Sequence, residues 1–536
     1  LLYVGGSRIV VRNLVNSRQV GADRVIIYGA GSAGAQAAAG LRIGGKFDPV
    51  AFLDDDASLQ GSVVAGIEVH APSELARLIE EESVGNLLLA LPSQTRRRRQ
   101  EILKSLEPFP VRVMTVPDIA DLVAGDARVE DVRDVDAADL LGRDPVPPND
   151  RLLEACIREK VVMVTGAGGS IGSELCRQIA RLRPRRLVLF EMSEVSLYQI
   201  DRELRAIIER EHLDLDLTSL LGNAHHKYRV REILQVYGVQ TVYHAAAYKH
   251  VPIVEQNVIE GIHNNVISTW YTAEAALECG VETFVLISTD KAVNPPNVMG
   301  ATKRMAEIVL QGLHARGSRT KFCMVRFGNV LESSGSVVPL FREQIRRGGP
   351  VTVTHPDVIR YFMTIPEASQ LVLQAGSMAQ GGDVFVLDMG KPIRIADLAR
   401  RMIKLAGLTV RDDENSDGDI EIRFTGLRPA EKLFEELLIG SNVSGTEHQM
   451  IMRAMEHSLP WEQVQEVLHN LLVSMGQFDV RTASDLLQAA VREYRPNGDI
   501  VDSVWCRREN EKRLQSKVTS LDSRRTAAKR ESGSSS

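Results

Sequence analysis

Asp290 and Lys291 stand side by side in the stretch ISTDKAVNPPNVMGATKR, directly after an apolar run. A carboxyl and an amine adjacent at a strand end can supply an acid and a base to neighbouring atoms. For a lysine to act as base it must be neutral, so its pKa must fall below the ordinary ~10.4 through burial or nearby positive charge. Alone, such a dipeptide is more often a polar turn with a surface ion pair. Its setting argues for chemistry. Ser288 and Thr289 precede it, and Met299 opens the segment MGATK, which ends in a second lysine, Lys303.

The elements that must position this cluster begin at residue 160, with KVVMVTGAGGSIGSELCRQIARL. An apolar run, Val161 to Val164, leads into a glycine-rich turn with Gly166, Gly169, Ser170, Ile171 and Gly172. A helical pattern follows, with Ile171, Leu175, Ile179 and Leu182 on one face. Strand, glycine turn and helix form the context of a dinucleotide site: glycines let the backbone approach a pyrophosphate, and the helix start offers free N–H groups. A second apolar run ends in Glu191, followed by Ser193. A carboxylate there suits ribose hydroxyls and repels a 2′-phosphate, which favours NAD over NADP. Beyond it, strands and helices alternate to about residue 440, which predicts a doubly wound parallel sheet. Ligands of such sheets bind at the carboxyl ends of the strands. The candidates there are the small-residue turn Ala245, Ala246 and Ala247, then Tyr248 to His250, Ser288 to Lys291, and Asn329.

Residues 24–140 predict a first α/β domain of the same kind. It has a glycine turn (Gly29, Gly31, Gly34) and Asp54 near the expected ribose position. No obvious acid, base or nucleophile stands in this half, and Arg96 to Arg99 read as a solvated helix start. The fold class is therefore α/β, with two Rossmann-like domains in tandem. The second, at 160–445, carries a C-terminal substrate-binding extension. Residues 1–23 suit an amphipathic juxtamembrane or connector helix, and 141–159, with Pro145, Pro147 and Pro148, an extended linker. Residues 446–506 are expected to be largely helical and 507–536 disordered. The chain starts at Leu1, as expected of a piece of a longer protein.

A chain of 536 residues exceeds a single core. A net charge of −6 gives no support for nucleic-acid binding. Five scattered cysteines, none in a CxxC pair, indicate neither zinc nor a disulfide framework. His225 and His226 read as solvent-exposed, and no metal site is expected. No apolar stretch approaches the ~20 residues of a membrane span.

Together TGAGGSIG, HAAAYKHVP, STDKAVNPPN, MGATK, RFGNVLESSGSV and GLRPAEKLFEEL resemble the CapD-like nucleotide-sugar 4,6-dehydratases of polysaccharide biosynthesis, in the extended short-chain dehydrogenase/reductase superfamily. The resemblance covers about residues 150–440. It implies a lyase with tightly bound NAD acting on UDP-N-acetylglucosamine. The product is a UDP-4-keto-6-deoxy sugar for capsule, O-antigen, lipopolysaccharide or other surface glycans. It also implies a homo-oligomer at the cytoplasmic side of a bacterial inner membrane, tethered by helices upstream of Leu1. Carried over residue by residue, Asp290 is the acid at C6 and Lys291 the base at C5. Thr289 holds the sugar O4, and Lys303 binds the nicotinamide ribose. Lys249, Asn265, Asn329, Arg360, Arg428 and Glu431 contact the sugar, diphosphate or uridine, with Asn265 also ordering the active-site helix. Asn223 stands where an acidic residue often lies near the adenine. Met299 replaces the tyrosine of the superfamily YxxxK motif. A thioether moves no proton, so the C4 base must be another group: Asp290, Lys291, or Lys303 acting through ribose or water. Two other readings compete. A UDP-sugar 4-epimerase needs no acid–base pair at C5 and C6. A silent nucleotide-sugar-binding regulator fits Met299 but not the retained cluster.

Overall fold

A computed structural model describes residues 22–117, 132–135, 137–142, 146–428, 430–436 and 443–515. The amphipathic stretch 1–21 and the tail 516–536 lie outside the described residues. Contacts divide the chain into two compact units.

The first unit is built on a seven-stranded sheet. Its strands are β1 (Asp23–Tyr28), β2 (Phe47–Leu53), β3 (Val63–Val64), β4 (Ile67–His70), β5 (Asn86–Leu89), β6 (Arg112–Thr115) and β7 (Arg133–Asp134). Their spatial order is β3-β4-β2-β1-β5-β6-β7. The five central strands are parallel, and the outer pairs are antiparallel. Val25, Ile26 and Ile27 of β1 are all fully buried, as expected of a strand covered on both faces. Each such side chain contributes roughly 1.5–3 kcal/mol relative to exposure.

Helix α1 (Ser32–Gly44) follows the first glycine turn. Helix α2 (Arg96–Leu106) begins at Thr95, whose hydroxyl accepts from the Arg98 N–H at 3.2 Å. The helix start is as read, but its arginines are not all solvated. Helical spacing puts Arg99 on the buried face with Leu103 and Leu106, and Asp139 neutralises it at 3.1 Å. Residues 334–357 and 393–425, read from sequence as part of the second domain, join the first unit by contact. They carry the helices Val337–Arg346 and Ile395–Leu405 and a small parallel sheet. Arg401 ties them to Glu107 at 2.8 Å.

The second unit holds a nine-stranded sheet. Six parallel strands come first: β8 (Val161–Thr165), β9 (Arg186–Glu191), β10 (Asp216–Leu221), β11 (Thr241–His244), β12 (Thr283–Ile287) and β13 (Lys321–Arg326). β14 (Asp383–Leu387) continues the parallel run, and β15 (Val443–Gly445) and β16 (Ile451–Ala454) add antiparallel. The order is β10-β9-β8-β11-β12-β13-β14-β16-β15, so the strand order reverses beside β8. Alternation along β8 sends Val161 and Met163 into one core and Val162 and Val164 into the other. Helix α3 (Ser170–Arg181) covers one face through Leu175 and Ile179. Helix α4 (Val298–Ala315) covers the other through Met305, Ile308 and Val309.

The stretch read as a linker is only partly one. Residues Asp150–Glu154 form a helix capped by Asn149, and Leu153 and Ile157 enter the second unit's core. The helix that includes residues 503–515 also runs into the polar stretch read as disordered. No described helix is long and apolar enough to cross a membrane. All five cysteines carry free thiols.

Candidate active site

The glycine turn connects β8 to α3 at the carboxyl edge of the sheet. Gly166 has φ +65°, and a Cβ there would lie 2.7 Å from the Ala246 nitrogen. Only glycine lets the turn lie against the Ala245–Ala247 backbone. A Cβ on Gly172 would overlap the Gly166 carbonyl. Gly169 caps α3 without a side-chain hydrogen bond, so Ser170 and Ile171 open a helix whose first N–H groups face the turn. These features fit a dinucleotide pyrophosphate.

Glu191, buried at the end of β9, is more committed than the sequence suggests. One oxygen accepts from the Gly168 N–H at 3.0 Å, the other from Met192 and Ser193 at 2.8 and 2.9 Å. It therefore holds the turn in shape, with spare lone pairs for a ribose. Ser193 caps the helix Glu194–Glu211, and the Asn223 side chain accepts from the His225 N–H, shaping its own loop. His226 is exposed and His225 half-buried. Among the described residues no group of His, Cys, Asp or Glu is arranged to hold a metal.

The candidate acid and base follow β12. The Asp290 N–H donates to the Phe327 carbonyl at 3.0 Å, which anchors the turn to the β13 end. The Asp290 carboxyl is 1% exposed. Its Oδ1 accepts from the Thr289 hydroxyl at 2.9 Å and from Lys291 Nζ at 3.0 Å. Its Oδ2 is buried with no protein partner, and a Cβ on Gly328 would stand 3.2 Å from it. A buried polar atom without a partner is costly, so a ligand that bonds it gains the difference. Lys291 Nζ also donates to Asn329 Oδ1 at 3.1 Å and lies 3.9 Å from Glu435. The spacing of the motifs thus brings Thr289, Asp290, Lys291 and Asn329 together as expected.

The charge state of Lys291 differs from the expectation. Burial pulls its pKa down, but Asp290 and Glu435 more than offset this and leave it above the ordinary lysine value. Glu435, missed by sequence reasoning, is pushed up by burial although Lys291 opposes this. The only signal for it was its place in the motif GLRPAEKLFEEL, four residues past Glu431.

Burial depresses two of the candidate lysines, Lys249 and, more strongly buried, Lys303. Lys303 is 4% exposed, and burial brings its pKa from 10.5 to about 8. Asn297 caps α4 by accepting from Gly300 N–H at 2.8 Å, which sets Met299 and Lys303 one turn apart on the helix. Met299 is 2% exposed. His244, at the end of β11, accepts or donates at 2.8 Å to Thr165, and its Nε2 is buried without a partner. Burial and the nearby Lys303 charge hold the His244 pKa at about 3, so the ring is neutral. Beneath this face lies a closed ionic network. Glu307 receives Ser288 at 2.6 Å, Arg326 at 2.6 Å and Arg304 at 3.1 Å, and Arg326 also pairs with Glu456 at 2.6 Å. Two arginines balance two carboxylates, as burial requires.

Three residues expected to touch substrate have protein partners of their own. Asn265 is 1% exposed; its amide bonds the Tyr248 N–H and carbonyl and the Thr302 hydroxyl. It ties the β11 turn to α4 from a π-helical turn, His263–Ile267, which fits the ordering expected of it. Arg360 donates to Glu431 at 3.1 Å and to the carbonyls of Ile359, Leu433 and Lys432. Its guanidinium builds the 431–435 loop, and Glu431 is its counter-ion. Lys249 and Arg428 are exposed, with side chains open to a ligand.

A family model described as polysaccharide biosynthesis protein matches residues 162–456. The capsular polysaccharide biosynthesis protein CapD of Staphylococcus aureus is 44% identical over 445 residues, covering 82% of this chain and 73% of that protein. A UDP-glucose 4-epimerase of Rickettsia canadensis is 32% identical over 54% of this chain and 80% of its own length. The X-ray structure of Pen from Bacillus thuringiensis superposes with a TM-score of 0.50 at 28% identity, over 59% of this chain and 99% of that one. The chain belongs to the polysaccharide biosynthesis protein family, CapD-like members of the short-chain dehydrogenase/reductase superfamily related to nucleotide-sugar dehydratases and epimerases.

Proposed function

We propose that the chain is an NAD-dependent UDP-N-acetylglucosamine 4,6-dehydratase serving surface-polysaccharide synthesis. The observation that carries this reading is the buried Asp290 carboxyl, with one oxygen on Lys291 and the other without a partner. Loss of water across C5 and C6 needs an acid and a base within reach of adjacent carbons. Proton transfer across the 3.0 Å Lys291–Asp290 hydrogen bond converts the ion pair into a neutral amine and a neutral acid. The proton count is unchanged, so the pair that the charges favour at rest becomes the pair the reaction needs. Asp290 then protonates the C6 hydroxyl as it leaves, and Lys291 removes the C5 proton.

NAD on the glycine turn would supply reversible hydride exchange with the sugar. Glu191 would take the adenine ribose and the Gly169–Gly172 backbone the pyrophosphate. Thr289 would orient the sugar O4. Lys303, with a pKa of about 8, would accept the C4 hydroxyl proton in place of the phenol that Met299 lacks, directly or through a hydroxyl or water. The uridine diphosphate would meet the exposed Arg428 and Lys249.

The test is mass spectrometry of UDP-N-acetylglucosamine incubated with purified protein and NAD, without reductant. A product lighter by one water is expected. A product of unchanged mass but altered chromatography would establish the epimerase reading, which the likeness to the Rickettsia epimerase favours. Binding without any product would establish a silent regulator.

A further inference from the structure

The first unit contains a cleft of about 510 Å³. It opens at the carboxyl ends of β1, β2 and β5, and is lined by Gly31, Ser32, Asp54, Asp55, Ser93 and Arg98 among others. β1 lies between β2 and β5, so the cleft stands where the strand order reverses, the place where open α/β sheets bind ligands. Its volume is in the range of pockets that enclose a small molecule.

The cleft is built rather than incidental. Gly29 has φ +107°, and a Cβ there would lie 2.7 Å from the Ala90 carbonyl oxygen. A Cβ on Gly34 would overlap the Gly29 carbonyl, so helix and strand close to the same approach as in the second unit. Gly31, by contrast, has empty space where its Cβ would be, and it caps α1 with no side-chain hydrogen bond. The N–H groups of the first helical turn therefore face an open cavity. Opposite them, Asp54 accepts from the Ala30 N–H at 2.7 Å and the Asp56 N–H at 2.9 Å. Asp55 is neutralised by Arg98 at 2.9 Å and accepts a hydrogen bond from the Tyr28 hydroxyl at 3.0 Å. Free N–H groups beside a vacant cradle suit a diphosphate. A carboxylate at the β2 end suits ribose hydroxyls and repels a 2′-phosphate. No lysine, histidine or cysteine lines the cleft.

We propose that the first unit binds a ribonucleoside diphosphate, free or as half of a dinucleotide, with an unmodified 2′-hydroxyl, and holds it without transforming it. This site is separate from the one on the second unit's glycine turn. It stands whether or not the dehydratase assignment does.

The test is hydrogen–deuterium exchange of the full chain with ADP, UDP, NAD and NADP as separate probes. The readout is protection of peptides covering residues 28–36 and 52–58. At least one of ADP, UDP and NAD is expected to slow exchange there severalfold, and NADP at the same concentration to give less than a tenth of that effect. Gly31→Glu places a negative side chain in open space at an ordinary φ of −74°, so the domain folds. It is expected to abolish protection at 28–36 while leaving that at residues 164–174 unchanged. Protection confined to 164–174 with every probe would overturn the proposal, as would equal protection by NAD and NADP or persistence in Gly31→Glu. Recovery of a hydrolysed or oxidised ligand when the second unit is disabled by Asp290→Asn would overturn the claim that the site performs no chemistry.

Discussion

The two glycine turns of this chain are built alike and differ in what surrounds them. In each, a glycine at positive φ ends the first strand, and a later glycine packs against its carbonyl. In each, a carboxylate from the second strand bonds the turn: Asp54 to Ala30, Glu191 to Gly168. The difference begins at the next strand ends. After β5 the chain offers Leu91, Pro92, Ser93 and Gln94; after β12 it offers Thr289, Asp290 and Lys291, with Lys303 on the following helix. Glycine geometry sets where a nucleotide can lie. Chemistry depends on what the other strands carry to that edge.

Mutation can break this comparison. The largest effect is expected for Asp290→Asn, which removes the proposed acid and should lower dehydration by roughly 10²–10⁴-fold, measured by product mass. Wild-type turnover in that variant would remove Asp290 as the acid and with it the proposed difference between the two turns. Glu307→Gln should destabilise the second unit by about 3–5 kcal/mol, because it leaves buried Arg304 and Arg326 undercompensated. Denaturant melts should show that loss.

Lys303 gives a pH test. Its folded pKa of about 8 lies below the ordinary 10.5. Between those values the unfolded chain binds the extra proton, so this group makes stability rise as pH climbs from about 8 toward 10.5. Turnover should rise through pH 8 as the neutral amine forms, and Lys303→Met should flatten both dependences. A profile unchanged in that variant would remove Lys303 from the chemistry. The smallest effect belongs to Arg98→Ala in the first unit. Its pair with Asp55 is exposed, so stability should change by less than about 1 kcal/mol in a thermal melt, with turnover by the second unit unaffected.

Much of this was legible locally. Strand, glycine turn and helix occupy neighbouring residues, so their pattern survives in a linear reading, and both Rossmann-like sheets follow from it. The cluster Thr289, Asp290 and Lys291 was also legible, since one short segment holds it. Arg99 was misread because the Arg96–Arg99 run hides a helical face. The buried Asp139 that neutralises Arg99 is 40 positions away.

The protein partners of Arg360 and Asn265 needed distance too. Arginine near a phosphate motif reads as a ligand, but Arg360 is held by residues 431–433, about 70 positions on. Asn265 reaches both Tyr248 and Thr302, and nothing in HNNV announces either partner.

By itself, then, the sequence determined the element order, the two glycine turns and the cluster of Thr289, Asp290 and Lys291, because each is written within a few residues. Only the tertiary structure decided which way each candidate lysine shifts. Lys291 meets Asp290 and Glu435 and is pushed up, whereas burial dominates at Lys303 and pulls it down to about 8. The balance between desolvation and charge is set by what packs around a side chain, and that is a property of three dimensions.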